Sequence, residues 1–290
     1  MSICKREILL VALVGSIVAT VGVALARNPG PDYSLQGPYA VQESRGYFRN
    51  EDGRQLPYIR YRARGAPQTV LIVLAHGFSR SQSNMRAVAR HYASWGLDVV
   101  TLDLAYSRPW NTDHTRNGRD MAALARTLTD RQVIYAGHSA GGLAAIVAAG
   151  RDGRARAVLG LDLVDSGSTA ARLAAQMNIP IFGILGESQA CNSSGNGLAV
   201  YQAAPTGRAI RVREAGHCHF ESPTDWLCTA FCGSPLRTYT EAEVRRRILG
   251  LATGFLLWQA GLRPDGKGWW MAGMNPFDAM ISAGSIAELR

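Results

Sequence analysis

Gly137-His138-Ser139-Ala140-Gly141-Gly142 follows the apolar run Val133-Ile134-Tyr135-Ala136 and precedes Leu143-Ala144-Ala145-Ile146-Val147. A β-type run, a Gly-x-Ser-x-Gly turn and an Ala-rich helical run in this order describe a nucleophile elbow. Glycine two residues to either side suits a turn too tight to admit side chains, with Ser139 lifted to the carboxyl end of a strand. The helix that begins there leaves unpaired N–H groups beside the hydroxyl. A serine hydroxyl is a poor nucleophile at neutral pH. It needs a hydrogen-bonded base, and the base needs a carboxylate to orient it.

The base is expected late in the chain, on a loop after the last strand of the core. Glu214-Ala215-Gly216-His217-Cys218-His219-Phe220 follows the β-like run 209–213. His217, directly after glycine, is the expected base, with His219 as the alternative. For the acid, Asp162 ends the run Ala157-Val158-Leu159-Gly160-Leu161; Glu187, after Ile181-Phe182-Gly183-Ile184-Leu185-Gly186, and Asp165 are the other strand-end carboxylates. His76-Gly77-Phe78 ends the first central strand, and its loop is expected to supply one oxyanion N–H from Phe78, the second coming from Ala140. His76 is then a support for that loop, and His138 a structural residue turned away from the hydroxyl. Each of these residues also has a plainer reading: an ordinary strand–helix turn, surface histidines, a carboxylate that caps a helix or pairs with arginine.

The elements that must position these groups can be read from hydrophobic pattern. Two β-like runs, 41–49 and 56–62, flank the turn Asn50-Glu51-Asp52-Gly53. Continuous apolar runs at 69–75 and 181–185 suit strands buried on both faces; 98–104, 133–136, 157–163 and 209–213 complete the set. Helical stretches are expected at 83–95, 117–128, 168–177 and 241–259. Strands alternating with helices predict an α/β architecture, a mainly parallel sheet covered on both faces, with the first hairpin as an antiparallel edge. The connection from 163 to 181 leaves no room for a large cap domain, so the cleft is expected to be open or roofed by loops. Trp269-Trp270-Met271 and Phe277 in the tail are expected to pack onto the body.

A chain of 290 residues suits one α/β domain, here 41–290, after a Pro/Gly/Asn-rich linker at 27–40. Lys5-Arg6, the uncharged run 8–26 and the small-x-small site Ala24-Leu25-Ala26 describe a secretory signal peptide, with an uncleaved membrane anchor as the alternative. The folded part is therefore expected to be secreted or periplasmic. Beyond Cys4 the cysteines are four, Cys191, Cys218, Cys228 and Cys232, an even number suited to two disulfides in an oxidising compartment. No Cys-x-x-Cys pair points to a metal, and hydrolysis through Ser139 needs neither metal nor cofactor. The net charge is +9, lowered by one if Lys5, Arg6 and Glu7 leave with the leader. The arginines are scattered, with no basic stripe interleaved with aromatics, so nucleic acid is not an expected partner.

Taken together, His76-Gly77-Phe78, Gly137-His138-Ser139-Ala140-Gly141, Asp162 and His217 resemble the α/β-hydrolase superfamily. The resemblance implies the α/β-hydrolase fold and a serine esterase acting through an acyl-enzyme on a small-molecule or polymeric ester. Gly160-Leu161-Asp162-Leu163-Val164-Asp165 is similar to the acid-bearing strand of chlorophyllases and platelet-activating-factor acetylhydrolases, and Gly216-His217 to the Gly-His step of chlorophyllases. The polyester-hydrolase and cutinase-like branch implies instead Glu187 as acid and, through Gly-x-x-His-Phe, His219 as base. A non-catalytic binding protein on the same fold and an acyltransferase are the rival readings. By position, Cys191 and Cys218 are expected to bond and tie the acid-side loop to the base-side loop, with Cys228–Cys232 nearby.

Overall fold

A computed structural model describes residues 30–67, 69–233 and 235–289. The proposed signal peptide or anchor at 1–26 lies outside the described residues.

Strand β1 (Val41–Arg49) pairs antiparallel with β2 (Gln55–Ala63), which runs antiparallel to β4 (Asp98–Leu102). Between them in sequence come β3 (Leu71–Ala75) and helix α1 (Arg86–Ser94). A short hairpin, β5 (Ser107–Arg108) with β6 (Asn111–Thr112), leads into α2 (His114–Leu128) and β7 (Val133–His138). The elbow then enters α3 (Ala140–Ala149), followed by β8 (Ala155–Leu161), α4 (Thr169–Ala174) and β9 (Ile181–Leu185). The chain continues through α5 (Leu198–Ala203), β10 (Gly207–Val212), α6 (Trp226–Cys232) and α7 (Glu241–Gln259). It closes with α8 (Phe277–Ser282) and β11 (Ile286–Leu289).

The sheet order is β1-β2-β4-β3-β7-β8-β9-β10-β11. The six central strands, β4 to β10, are parallel, and antiparallel strands finish both edges. From β3 the chain goes to β4 on one side, then returns to β7 on the other. This reversal opens a crevice at the carboxyl ends of β3 and β7, where open α/β sheets bind ligands. The elbow and the Phe78 loop both leave the sheet at that crevice.

Strand alternation builds two cores, one on each face. Ile72 and Leu74 of β3 face α1, α7 and the tail, whereas Leu71, Val73 and Ala75 face α2, α3, α4 and α5. Every residue of α3 is buried, which explains a composition of alanine, glycine and aliphatics without a polar face. Helix α7 begins at Thr240, whose hydroxyl accepts from the Glu243 N–H while the Glu243 carboxylate accepts from the Thr240 N–H, a capping box.

Several expectations need revision. The strand expected at 157–163 ends at Leu161, because the backbone turns at Asp162 into a positive φ of 45°. The helix expected at 83–95 is a 3₁₀ turn, Gln82–Met85, followed by α1. The linker at 27–40 is no free tether over its described part: Tyr33 is buried against Trp95, and the Tyr39 N–H bonds the Ser94 carbonyl. In the tail, Trp269 and Trp270 are buried beneath α7 and Phe182, and β11 adds an antiparallel edge that a four-residue run did not announce. No domain is inserted between the strands among the described residues; α4 is the single helix between β8 and β9. Among the described residues no helix is long and apolar enough to cross a membrane.

Candidate active site

Ser139 sits between β7 and α3 with φ 55° and ψ −126°, a conformation that non-glycine residues hold only when surrounding structure enforces it, at a cost of about 1–3 kcal/mol. The enforcement is visible. The Ser139 N–H donates to the Leu161 carbonyl of β8 at 3.0 Å, and the Ser139 carbonyl accepts from Gly142 and Val164. A Cβ on Gly137 would lie 2.2 Å from the Gly141 carbonyl oxygen, and one on Gly141 would lie 2.3 Å from that of His76. The two glycines of the motif are thus required by close backbone approach, as the sequence implied.

The Phe78 loop is fixed by His76. Its Nε2 accepts from the Leu104 N–H at 2.9 Å, so Nδ1 must carry the proton and donate to the Gly77 carbonyl at 2.8 Å. Burial holds this imidazole neutral, pulling its pKa down to about 4 against the opposing effect of the Gly77 bond. The hairpin that follows β4 braces the same loop: the Ser79 N–H donates to the Ser107 carbonyl, and the Ser107 hydroxyl to the Gly77 carbonyl. Neither the Phe78 nor the Ala140 N–H has a protein acceptor among the described residues.

Asp162 and His217 are brought together. Asp162 is fully buried; its Oδ2 lies 2.6 Å from His217 Nδ1. The carboxylate can only accept, so Nδ1 carries the proton of this bond, the tautomer that in a neutral ring leaves Nε2 as acceptor. The Asp162 Oδ1 accepts from the Gly186 N–H at 2.9 Å, and both oxygens approach Asn192 Nδ2, at 3.3 and 3.2 Å. Asn192, fully buried, also donates to the Glu187 carbonyl and accepts from the N–H groups of Gln189 and Gly195. It is the support for the acid that sequence reasoning missed.

The other candidates are occupied elsewhere. Asp165 accepts from the N–H groups of Ala170 and Ala171 at the start of α4, the helix-capping role that was the plainer reading for Asp162. Glu187 accepts from the Glu214 N–H at 3.1 Å. His219 Nδ1 accepts from the Gly216 N–H at 2.7 Å, and burial lowers its pKa, with Arg245 adding to the effect. His138 lies under the base: its Nε2–H donates to the His217 carbonyl at 3.0 Å, and the two rings are 4.5 Å apart. Burial pushes the pKa of His138 well below its ordinary value. Its 3.9 Å approach to the buried Glu221 carboxylate is therefore no ion pair. The Glu221 carboxylate takes the Thr224 hydroxyl at 2.8 Å and lies 3.3 Å from Arg80 Nε.

The cysteines pair as Cys191–Cys232 and Cys218–Cys228, correcting the expected Cys191–Cys218. Helix α6 is the reason. Cys228 and Cys232 lie one turn apart on the same side of it, where Cys228 meets Cys218 and Cys232 meets Cys191. The helix is tied to all three loops of the site: Cys228 to the residue after His217, Cys232 to the residue before Asn192, and its N-cap Asp225 to Arg80 of the Phe78 loop. The sulfurs of Cys218, Cys228 and Cys232 lie within 4.8 Å of one another, but as disulfide sulfurs they offer no thiolate to a metal ion. Two disulfides fit an oxidising compartment.

A cavity of about 360 Å³ lies behind the base loop, between α1 and α7, lined by Tyr92, Leu161, His219, Phe220 and Ile248. Its lining includes neither Ser139 nor Asp162 nor His217. The chain matches no protein-family model and no curated protein.

Proposed function

We propose that the chain is a serine hydrolase of carboxylic esters on an α/β-hydrolase fold. Two observations carry the reading: a strained serine on a strand-to-helix turn, and an imidazole on a later loop whose Nδ1 is bound at 2.6 Å by a fully buried carboxylate. Chain order supports it, since Ser139, Asp162 and His217 follow the superfamily's sequence of nucleophile, acid and base. The placement of the Phe78 and Ala140 N–H groups beside the elbow supports it further.

In this mechanism Ser139 gives its hydroxyl proton to His217 Nε2 as its oxygen attacks the ester carbonyl. Asp162 holds the imidazole in the required tautomer and stabilises the imidazolium that forms. The Phe78 and Ala140 N–H groups take the developing oxyanion; such a donor is worth about 3–4 kcal/mol of barrier. His217 then protonates the leaving alcohol, and the acyl-enzyme is hydrolysed by a water that His217 deprotonates. Glu187 and His219 stay outside the reaction.

An active-site phosphonate tests the reading. It is expected to label the wild-type chain and not Ser139→Ala, and p-nitrophenyl acetate turnover is expected to vanish with the label. Equal labelling of the two proteins excludes Ser139 as nucleophile and returns the fold to the binding-protein reading.

A further inference from the structure

Ten large apolar side chains are exposed among the described residues, and six of them, Phe78, Trp110, Trp226, Leu227, Phe231 and Leu236, stand on the loops and on α6 that follow the carboxyl ends of the strands. The other four are dispersed over the N-terminal segment, the edge strand β1 and α8. Trp110 is 84% exposed at the tip of the β5–β6 hairpin, which is bonded to the Phe78 loop. Trp226 and Phe231 are 75% and 77% exposed on α6. That helix buries only Cys228 of its seven residues, so its outer face has no packing role within the fold.

Exposed apolar groups gathered at one place mark an interaction surface. Their position decides what kind. They stand at the end of the sheet where Ser139 leaves β7, so a protein seated on them would lie over that end, whereas a fluid lipid phase would deliver substrate to it. Charge agrees. Arg108, beside the Trp110 tip, and Arg237, beside Leu236, are exposed, and neither is in an ion pair among the described residues, in a chain of net charge +9. Tryptophan and phenylalanine flanked by arginine suit an anionic lipid–water boundary.

We infer that this crown docks on an anionic lipid surface, with Trp110, Trp226 and Phe231 entering it, and that the substrate is a water-insoluble acyl ester held there. The substrate part rests on the hydrolase reading of Ser139; the docking part does not. The cross-links of α6 make the surface a fixed platform whose geometry relative to Asp162 and His217 is set before binding.

The test is flotation of the full oxidised chain with vesicles of phosphatidylcholine, alone and mixed with phosphatidylglycerol, while emission of the exposed tryptophans is followed. Wild type and Ser139→Ala are expected to float equally with the mixed vesicles, with a blue shift, and to stay largely unbound with phosphatidylcholine alone. Trp226→Ser/Phe231→Ser is expected to lose about tenfold or more in partition, as two large apolar side chains leave the boundary. Its turnover of dissolved p-nitrophenyl acetate is expected to match wild type, and its turnover of an emulsified long-chain ester to fall in step with partition. Wild type that ignores the mixed vesicles, or a double variant that floats as well as wild type, overturns the inference. So does wild type that binds polyester film or a protein partner but no vesicle. Loss of the phosphonate result with flotation intact removes the hydrolase reading alone.

Discussion

Ser139 and the Phe78 loop leave the sheet at β7 and β3, two adjacent strands buried along their whole length, whereas Asp162 and His217 ride on loops beyond β8 and β10. The first half is held by backbone crowding: carbonyl oxygens stand where Gly137 and Gly141 would carry a Cβ. The second half is crowded too, since a Cβ on Gly186 would lie 2.5 Å from the Ala215 carbonyl oxygen and one on Gly197 2.1 Å from that of Leu163, but it carries covalent ties as well. Helix α6, which buries only Cys228, is tied by disulfides to the loops after β9 and β10 and through Asp225 to Arg80 of the Phe78 loop. A group that must sit at a fixed place can be held by backbone crowding or by covalent bonds; crowding acts in both halves here, and the second adds disulfides.

The sharpest way to break that comparison is to alter the acid. Asp162→Asn is expected to lower kcat by about 10⁴-fold while leaving the fold intact, since the imidazole would lose its oriented tautomer. Glu187→Gln is expected to stay near wild type; steady-state kinetics on p-nitrophenyl acetate that reverse this order would move the acid to the next strand. The cross-links come next. Cys191→Ser/Cys232→Ser opens a loop spanning a sequence separation of 41 and is expected to cost about 3–4 kcal/mol in urea unfolding. Limited proteolysis should then cut within 226–240 and spare the sheet; uniform digestion would mean that the second half is no less self-supporting than the first.

For the first half, Gly141→Ala is expected to cost about 1–3 kcal/mol or more, because the new methyl meets the fixed His76 carbonyl rather than a side chain that can move. An unchanged unfolding midpoint would show that the turn can relax. A pH effect at His76 is expected to be of comparable size. Its unfolded form takes a proton near pH 6.5, while the buried native form resists until about pH 4, so its contribution is present above pH 6.5 and is lost as pH falls towards 4. The unfolding penalty of His76→Gln is accordingly expected to be larger at pH 7 than at pH 4.5, and a penalty independent of pH would contradict the neutral assignment.

What could be read from sequence follows the same division. The elbow is local: five consecutive residues carry both the nucleophile and the glycines that its backbone requires. β9 and α7 are bounded as the sequence pattern at 181–185 and 241–259 implies, and the run into Asp162 correctly put a carboxylate at a strand end. The second half depends on distant contacts that no short pattern encodes. Asn192 reaches Asp162 across 30 residues and Arg80 reaches Asp225 across 145, and each looks like an ordinary loop polar residue. Cysteine count gave two disulfides, but their pairing was decided by the facing of α6, a seven-residue helix with no periodic apolar face to announce it.

The short passage from Leu161 to Ile181 carries a further consequence. With only α4 in that stretch and α6 cross-linked in place, neither offers a hinged cover over the carboxyl ends of the strands. On the proposed hydrolase reading, turnover would be timed by bond making and breaking at the acyl group, and rapid mixing would reveal a pre-steady-state burst whenever deacylation is the slower of the two steps.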